Sequence, residues 1–559
     1  MLKAKKNSHL LQSIIFFPLH TFLIALYPIL FVYSRNLMNI PFQDIIRFLL
    51  ISEFFFIFLL ICFKVVLKDW GKSGLLSSLI AVLFYAFGHV ANAAESLLLS
   101  SEVDFNLMVM PWIWLAIFLP VSYLIVSKPL PAVTTRFFNL FSLILVSFSI
   151  FSVVNVGNIN SELTPEEQTE LAQLRGEETA ESKIEPIPDS ELPDIYYIIL
   201  DGYLRADYLE EYFNIDISPF LDELQQRGFY FVSASRSNYL NTNYSLNSSL
   251  NLVYFHEYPK NIFNKSKYNL YNNYLHDFLD SYGYQTVVFD SGTGDTNEQD
   301  LDIFVSLGNE TDDEDQILNR FEQFFLKTTL GLLLFDNRGP INTPGQPNEM
   351  IQKTVNQELA LRRDRITHAL EHLPEYADAQ GHYYLFSHIY SPHIPFLYGP
   401  GGTELTFHGN QNLYWYEVPQ EDYPEYYGYQ IEYLNSAVLD TIDQILSNST
   451  KPVVIVLQAD HGDEFFLDRD APTTQGLEFR SAILNAIYFS DGEYDQLYPS
   501  LTPVNTFRIV LNHWFGAHYP LLADQVFFHE DPLSTRIDEK PEFIDCCIYF
   551  KICIPPHTQ

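Results

Sequence analysis

Residues 452–463 read Pro-Val-Val-Ile-Val-Leu-Gln-Ala-Asp-His-Gly-Asp, an apolar run that stops abruptly at ionisable side chains. The run lacks the period-2 alternation of a half-solvated strand and suits a strand buried on both faces, as in a parallel sheet. Asp194-Ile-Tyr-Tyr-Ile-Ile-Leu200 has the same texture and is followed by Asp201-Gly202. Further buried-strand candidates are 229–234, 284–290, 382–389 and 482–489. Helical stretches at 268–281, 351–373, 429–447 and 504–515 fall between them. In Ser218-Pro219-Phe-Leu-Asp-Glu-Leu-Gln-Gln-Arg227-Gly228, Ser218 can cap a helix, Pro219 suits its first turn and Gly228 can end it. Alternating strands and helices imply a layered α/β domain.

Upstream the chain changes character. A spanning helix needs about 20 mostly apolar residues. Five stretches qualify, at roughly 10–33, 45–67, 73–94, 107–127 and 137–156. A cleavable signal peptide accounts for the first alone. Residues 1–156 carry a net +4, which leaves −41 of the chain's total −37 on residues 157–559. Lys3, Lys5, Lys6, Lys64, Lys68, Lys72, Lys128 and Arg136 fall on one side if there are five spans, against Arg35 and Arg47 on the other. That bias places the N-terminus in the cytoplasm and everything after 156 outside. Glu53 lies inside the second apolar stretch, where a pairing with Arg47 is the simplest expectation. The expected organisation is a transmembrane domain over 1–156, an acidic juxtamembrane linker over 157–193, the α/β domain over 194–530 and a tail over 531–559. The linker, with seven Glu between 162 and 181, is either surface-hugging or flexible, with room for a short helix.

Composition excludes several classes. A body at −41 repels phosphate backbones, so nucleic acid is not its partner. Forty-six Phe and 36 Tyr exclude a disordered acidic protein, and four Cys in 559 residues exclude a disulfide scaffold. Cys546, Cys547 and Cys553 lie in a tail for which an unstructured course, one disulfide or zinc binding are all open.

The chemistry should lie beyond the carboxyl ends of the strands, where parallel sheets bind ligands. Asp201 and Asp460-His461 leave two such strands. Two carboxylates and an imidazole suit a divalent metal of intermediate hardness, manganese or zinc being favoured. Taken alone, Asp-Gly is an ordinary turn dipeptide. Thr242 and Ser245 sit in a Ser/Asn-rich passage that enters a helix, where a hydroxyl lies near the positive end of the dipole. Ordinary capping also produces such text. His388 and His393, in Phe386-Ser-His-Ile-Tyr-Ser-Pro-His-Ile-Pro-Phe396, can hold oxyanions or protonate a leaving group.

In order and spacing, YYIILDGY, SPFLDELQQRGFYFVSASR, SPHIPF, QADHGDE, Glu478-Phe-Arg480 and TPVNTFRIVLNHWFG resemble the alkaline phosphatase superfamily in its sulfatase-like branch, over about 194–516. With the five-span N-terminus, the chain is similar to the lipoteichoic acid synthases and phosphoethanolamine transferases. The resemblance implies an enzyme of the inner (plasma) membrane with its catalytic domain outside. It would move a phospho-alcohol group from a lipid donor, through a phosphothreonine, to a hydroxyl acceptor or water. It also implies Thr242 as nucleophile. Asp201, Thr242, Asp460 and His461 would hold one metal ion, and His393, His388, Ser245 and Arg480 would meet the substrate. Two departures stand out. The first ligand is Asp201 where those transferases have Glu. The sulfatase nucleophile motif is absent, since Tyr244 and Leu246 occupy its Pro and Arg positions. The alternatives are a sulfate or phosphate ester hydrolase of the same superfamily, and a non-catalytic external binding module.

Overall fold

The computed structural model describes residues 17–35, 42–99, 109–159, 163–177, 187–266, 270, 273–293, 296, 301–307, 319–335, 349–406, 418, 420–469, 471–529 and 544–547. These residues form two compact units. One contains the described residues up to 158 together with 319–335 and 349–353; the other contains the rest.

The first unit is built on five apolar helices, His20–Arg35, Phe42–Leu67, Trp70–Leu99, Met110–Ser127 and Ala132–Ile159. Four are long and apolar enough to cross a membrane, over Phe42–Leu67, Trp70–Ala91, Met110–Ser127 and Val133–Val154. The described part of the first helix is shorter, and the expected start of that span near residue 10 lies outside the described residues. Polar side chains are buried among these helices, and several bond to distant parts of the unit. His20 Nδ1 meets Ser78 Oγ at 2.7 Å, Ser52 Oγ meets Tyr85 OH at 2.5 Å, and Asn139 Nδ2 donates to the Phe17 carbonyl at 2.9 Å. Such bonds tie apolar helices together because a lone polar group in hydrocarbon is costly.

The expected Arg47–Glu53 pair does not form. Arg47 makes a two-pronged ion pair with Glu322, 275 residues away, with Nε donating to Oε1 at 2.8 Å and Nη2 to Oε2. Glu322 lies in the helix Arg320–Lys327, whose Phe321 and Phe325 are buried among Phe48, Phe56 and Tyr85. Oε1 of Glu53 is buried with no hydrogen-bond partner among the described residues. A helix of the acidic half thus packs on the N-terminal helices, and the planar guanidinium goes to the carboxylate it can grip bidentately.

The second unit is organised around a mixed seven-stranded sheet of order β2-β7-β6-β1-β5-β3-β4. Its strands are β1 Asp194–Leu200, β2 Tyr230–Phe231, β3 Tyr284–Phe289, β4 Ile303–Val305, β5 His382–Ile389, β6 Val453–Gln458 and β7 Asn485–Phe489. β6, β1, β5, β3 and β4 run parallel, β7 is antiparallel to β6, and β2 is antiparallel to β7, so β7 alone among the seven runs against the rest. Every residue of β1 and β6 is buried, which explains the absence of alternation in their sequences. Ile195, Tyr197 and Ile199 face a core shared with Leu246, Leu275 and Phe507, so the helices Thr242–Asn251, Tyr274–Asp280 and Pro503–Phe515 cover one face. Tyr203 OH bonds Asn435 at 2.7 Å and Tyr427 OH bonds the Gly202 carbonyl at 2.7 Å, anchoring Tyr423–Asn448 beside the end of β1.

One expectation changes and two open alternatives narrow. Ser218 begins the helix Ser218–Gln226 but does not cap it; Asp216 Oδ1 accepts its backbone N–H at 2.8 Å. The acidic linker forms the helix Pro165–Arg175, started by a Thr164/Glu167 capping box and packed into the second unit. Its Leu171 is buried beside Tyr244 and Phe263, and Arg508 donates to the Arg175 carbonyl at 3.1 Å. Part of the tail also folds back. Ile544–Asp545 (β9) pairs antiparallel with Phe527–Phe528 (β8), Cys546 is fully buried, and Cys547 is disulfide-bonded.

Candidate active site

β6, β1 and β5 are neighbours, so the residues that leave their carboxyl ends converge. Asp201 directly follows β1, with its N–H bonded to the Ile389 carbonyl at 3.0 Å. Gly202 adopts φ +75° and donates to Asp460 Oδ1 at 3.3 Å, which links the two strand ends. A glycine is needed there for its left-handed turn. At Gly462 the reason is space, because a Cβ would stand 2.4 Å from the Phe479 carbonyl oxygen and 2.8 Å from that of Ala482.

Asp201, Asp460 and His461 are buried, and one ligand atom from each lies within 4.8 Å of the others. Their hydrogen bonding defines what they offer. His461 Nδ1 faces the Gly462 carbonyl at 3.0 Å, and since a carbonyl only accepts, the ring proton sits on Nδ1. Nε2 then presents a lone pair, 3.2 Å from Asp460 Oδ2 and 3.7 Å from Asp201 Oδ1, on which Arg480 Nη2 rests at 3.0 Å and which a bound cation would take over. Neither of those oxygens has a hydrogen-bond partner among the described residues. Three acceptor atoms therefore face one another in a buried space, an arrangement that suits a divalent cation and little else.

The charges agree with this. Burial pushes Asp201 up, but the field of His393 and the hydrogen bond from His388 lead the opposing effects and leave the carboxyl well below the usual range. Asp460 is raised, first by burial and then by the negative charge of Asp201. His461 is held well below its ordinary value by burial and by the Arg480 guanidinium, which keeps it neutral and ligand-competent.

Thr242 is the first residue of the helix Thr242–Asn251, capped by Asn241, whose side chain accepts from the Asn243 N–H at 3.1 Å. Its Oγ1 lies 3.1 Å from His461 Nε2 and the residue is partly exposed, so the hydroxyl meets both the cluster and the solvent side. Ser245, expected to meet substrate, is buried one turn further on and donates to the Asp460 carbonyl at 2.7 Å. Arg480 is likewise buried. Its nitrogens go to the Leu240 carbonyl at 3.2 Å, the Gly462 carbonyl at 2.9 Å and His461 Nε2 at 3.0 Å. Both side chains brace the loops that carry the cluster.

His388, near the end of β5, is buried between Asp201 Oδ2 at 3.3 Å and the Thr296 hydroxyl at 2.8 Å. His393 stands over Gly202, its N–H bonded to the Asp201 carbonyl at 3.1 Å, and it is partly exposed. Its Nδ1 donates to the Ile394 carbonyl at 2.7 Å, which again leaves Nε2 as the second functional atom. Sequence reasoning missed Thr296, and it missed Asp463, which is buried and accepts from Tyr423 OH at 2.8 Å. The Asp-His-Gly-Asp run was the available signal for the second.

The family described as Sulfatase matches residues 193–515, more than half of the chain. The chain belongs to this family, the sulfatase-like branch of the alkaline phosphatase superfamily. Among solved structures, the C-terminal periplasmic domain of EptC from Escherichia coli shares 12% identity, covering 64% of this chain and 94% of that one, with a TM-score of 0.37. The integral membrane lipooligosaccharide phosphoethanolamine transferase A from Neisseria meningitidis also shares 12% identity, covering 88% of this chain and 93% of that one at a TM-score of 0.36. No curated protein sequence matches.

Proposed function

We propose that the chain is a membrane-anchored, metal-dependent phosphotransferase that moves a phospho-alcohol group from a lipid phosphodiester to a hydroxyl acceptor or water. The observation that carries this reading is the set of converging acceptors, Asp201 Oδ1, Asp460 Oδ2 and His461 Nε2, with Thr242 Oγ1 3.1 Å from the last. These four residues fit one divalent ion, zinc or manganese by donor type. When bound, the ion supplies a Lewis acid that lowers the hydroxyl pKa and offsets phosphoryl charge.

The chain's own residues do the rest. Thr242 Oγ1 releases its proton to solvent on its exposed side and attacks phosphorus in line; the Oγ1–P bond forms, the bond to the leaving alcohol breaks, and His393 gives that alcohol its proton. In the second half the acceptor hydroxyl or water attacks the phosphothreonine and gives its proton to His393, the Oγ1–P bond breaks, and the freed Thr242 oxygen takes a proton back from solvent. His388 holds Asp201, while Ser245 and Arg480 position Asp460 and His461. Five spans with the N-terminus in the cytoplasm would put the domain outside. The disulfide at Cys547 suits that oxidising side. Tyr244 and Leu246, standing where formylglycine sulfatases have Pro and Arg, disfavour sulfate-ester chemistry.

The test is turnover of a chromogenic phosphodiester, phosphomonoester and sulfate ester by the full chain in detergent with zinc or manganese. Diester turnover that needs metal, and a phospho-adduct on Thr242 by mass spectrometry, are expected. Wild-type turnover by Thr242→Ala refutes the assignment, and preferred sulfate-ester turnover moves the protein to the hydrolase reading.

A further inference from the structure

His393 is carried by a loop that has few ways to hold itself. Between Tyr390 and Phe396 stand Pro392 and Pro395, which have no N–H to donate. Beyond the His393 N–H bond to Asp201, one side chain among the described residues holds the loop's carbonyls on both sides of His393. Arg362, on the helix Glu349–His372, donates from Nε to the Tyr390 carbonyl at 3.1 Å and from Nη1 to the Ile394 carbonyl at 3.3 Å. The two carbonyls bracket His393 in sequence. The guanidinium also lies over the Tyr390 ring, 3.5 Å from its centroid. That ring in turn stacks on the His393 imidazole, with centroids 5.0 Å apart and planes 27° from parallel. Arg362, Tyr390 and His393 therefore form one continuous stack. The Ile394 carbonyl that Arg362 holds is the same one that accepts the His393 Nδ1 proton.

We propose that Arg362 is a positioning residue for the transfer reaction, setting through Tyr390 and the Ile394 carbonyl the direction in which His393 Nε2 points. The inference rests on the proton-transfer role given to His393 above. The two grips fix different degrees of freedom. The carbonyl contacts hold the loop backbone, while the stack holds the plane of the ring. Lysine cannot reproduce this, because a point charge on a flexible stem neither spans two carbonyls nor lies flat on a ring.

Displacing a reacting group by about 1 Å costs roughly a hundredfold in rate. Arg362→Gln in the full chain in detergent, assayed on bis(p-nitrophenyl) phosphate at saturating manganese, is therefore expected to lower kcat about 10- to 100-fold. KM and bound metal should be unchanged, and Arg362→Lys should be equally slow. The deciding measurement is a double-mutant cycle with His393→Ala. If Arg362 acts through His393, the double variant is no slower than His393→Ala alone. Multiplied losses overturn the inference, as does full activity of Arg362→Lys, since Arg362 would then act on the substrate directly or by charge alone. If Arg362→Gln does not fold, Tyr390→Leu takes its place in the cycle with the same expected merging. Thr242→Ala run in parallel separates the two levels. Retained activity there refutes the proposed reaction. A dead Thr242→Ala with multiplying Arg362 and His393 losses refutes only the positioning role.

Discussion

Replacing Asp460 by Asn should have opposite effects on stability with and without metal. The ligand atoms of Asp201 and Asp460 lie within 4.8 Å of each other in a buried space. Two carboxylate charges at that distance repel by about 3.5 kcal/mol at an effective dielectric constant of ~20. Without a cation this opposes folding, and Asp460→Asn removes it while keeping side-chain shape. For a domain of some three hundred residues the apoprotein variant should melt about 5 °C above wild type. Saturating metal should reverse the order, because an ion at a thousandfold excess over its dissociation constant adds about 4.1 kcal/mol to whichever form binds it, more than the repulsion removed. The variant, short of one charged ligand, gains far less. Differential scanning calorimetry of the full chain in detergent reads both states, with EDTA or with zinc or manganese. It should be run at pH 8, above the value of about 6 to which burial and the Asp201 charge lift Asp460. A variant that melts below wild type in EDTA as well would refute the reasoning, since the carboxylates would then not be a repulsive pair awaiting a cation.

Gly462→Ala is expected to lose about 1–3 kcal/mol of stability and most of its metal affinity, because its Cβ meets backbone carbonyls that cannot rotate away; thermal melting and metal titration read both. Ser245→Ala removes the buried bond to the Asp460 carbonyl and should weaken metal binding by about tenfold or more, measured by isothermal titration. Lys451→Met strips the cation from Asp194, which is buried at the start of β1, and should cost about 3–5 kcal/mol at neutral pH. Burial already lifts the Asp194 pKa against the pull of Lys451 and the Tyr383 N–H, so its ionisation weighs on the folded state. Losing Lys451 lifts it further. The gap to wild type should therefore be widest at neutral pH and close as acidification protonates Asp194, by urea titration at several pH values.

Much of the frame was legible because its signals are local. β1 and β5 have the boundaries their apolar runs imply, since strands buried on both faces leave unbroken text. Asp201, Thr242, Asp460 and His461 meet because each follows a strand or starts a helix at the same edge of the sheet. What stayed illegible depends on contacts distant in sequence. Nothing local tells Arg47 to prefer Glu322 over Glu53 six residues away, and the choice follows from where the helix Arg320–Lys327 packs. β4 is three residues long, below any periodicity. The helix Pro165–Arg175 has a polar composition that reads as linker, and only Leu171 and the Arg175 carbonyl reveal its docking. The fold-back of Ile544–Asp545 onto β8 needs a partner strand that pattern alone does not supply.

Arg480 shows how residue type and role come apart. An arginine next to a predicted metal strand reads as an anion binder, and its chemistry fits that reading. In the structure all three guanidinium nitrogens are engaged, two by backbone carbonyls and one by His461. A guanidinium so held has little left to give a phosphoryl group, but it clamps Leu240, just before Thr242, to Gly462, just after the Asp460-His461 pair. The loop that leads to Thr242 and the loop that carries Asp460 and His461 are thereby joined by one side chain, which bears on the distance from Thr242 Oγ1 to the cluster. A positive charge at that point also keeps His461 neutral. The same cation thus orders two catalytic segments and prepares a ligand, and its replacement by Lys should disturb metal affinity and turnover together, where an anion-binding arginine would chiefly raise KM.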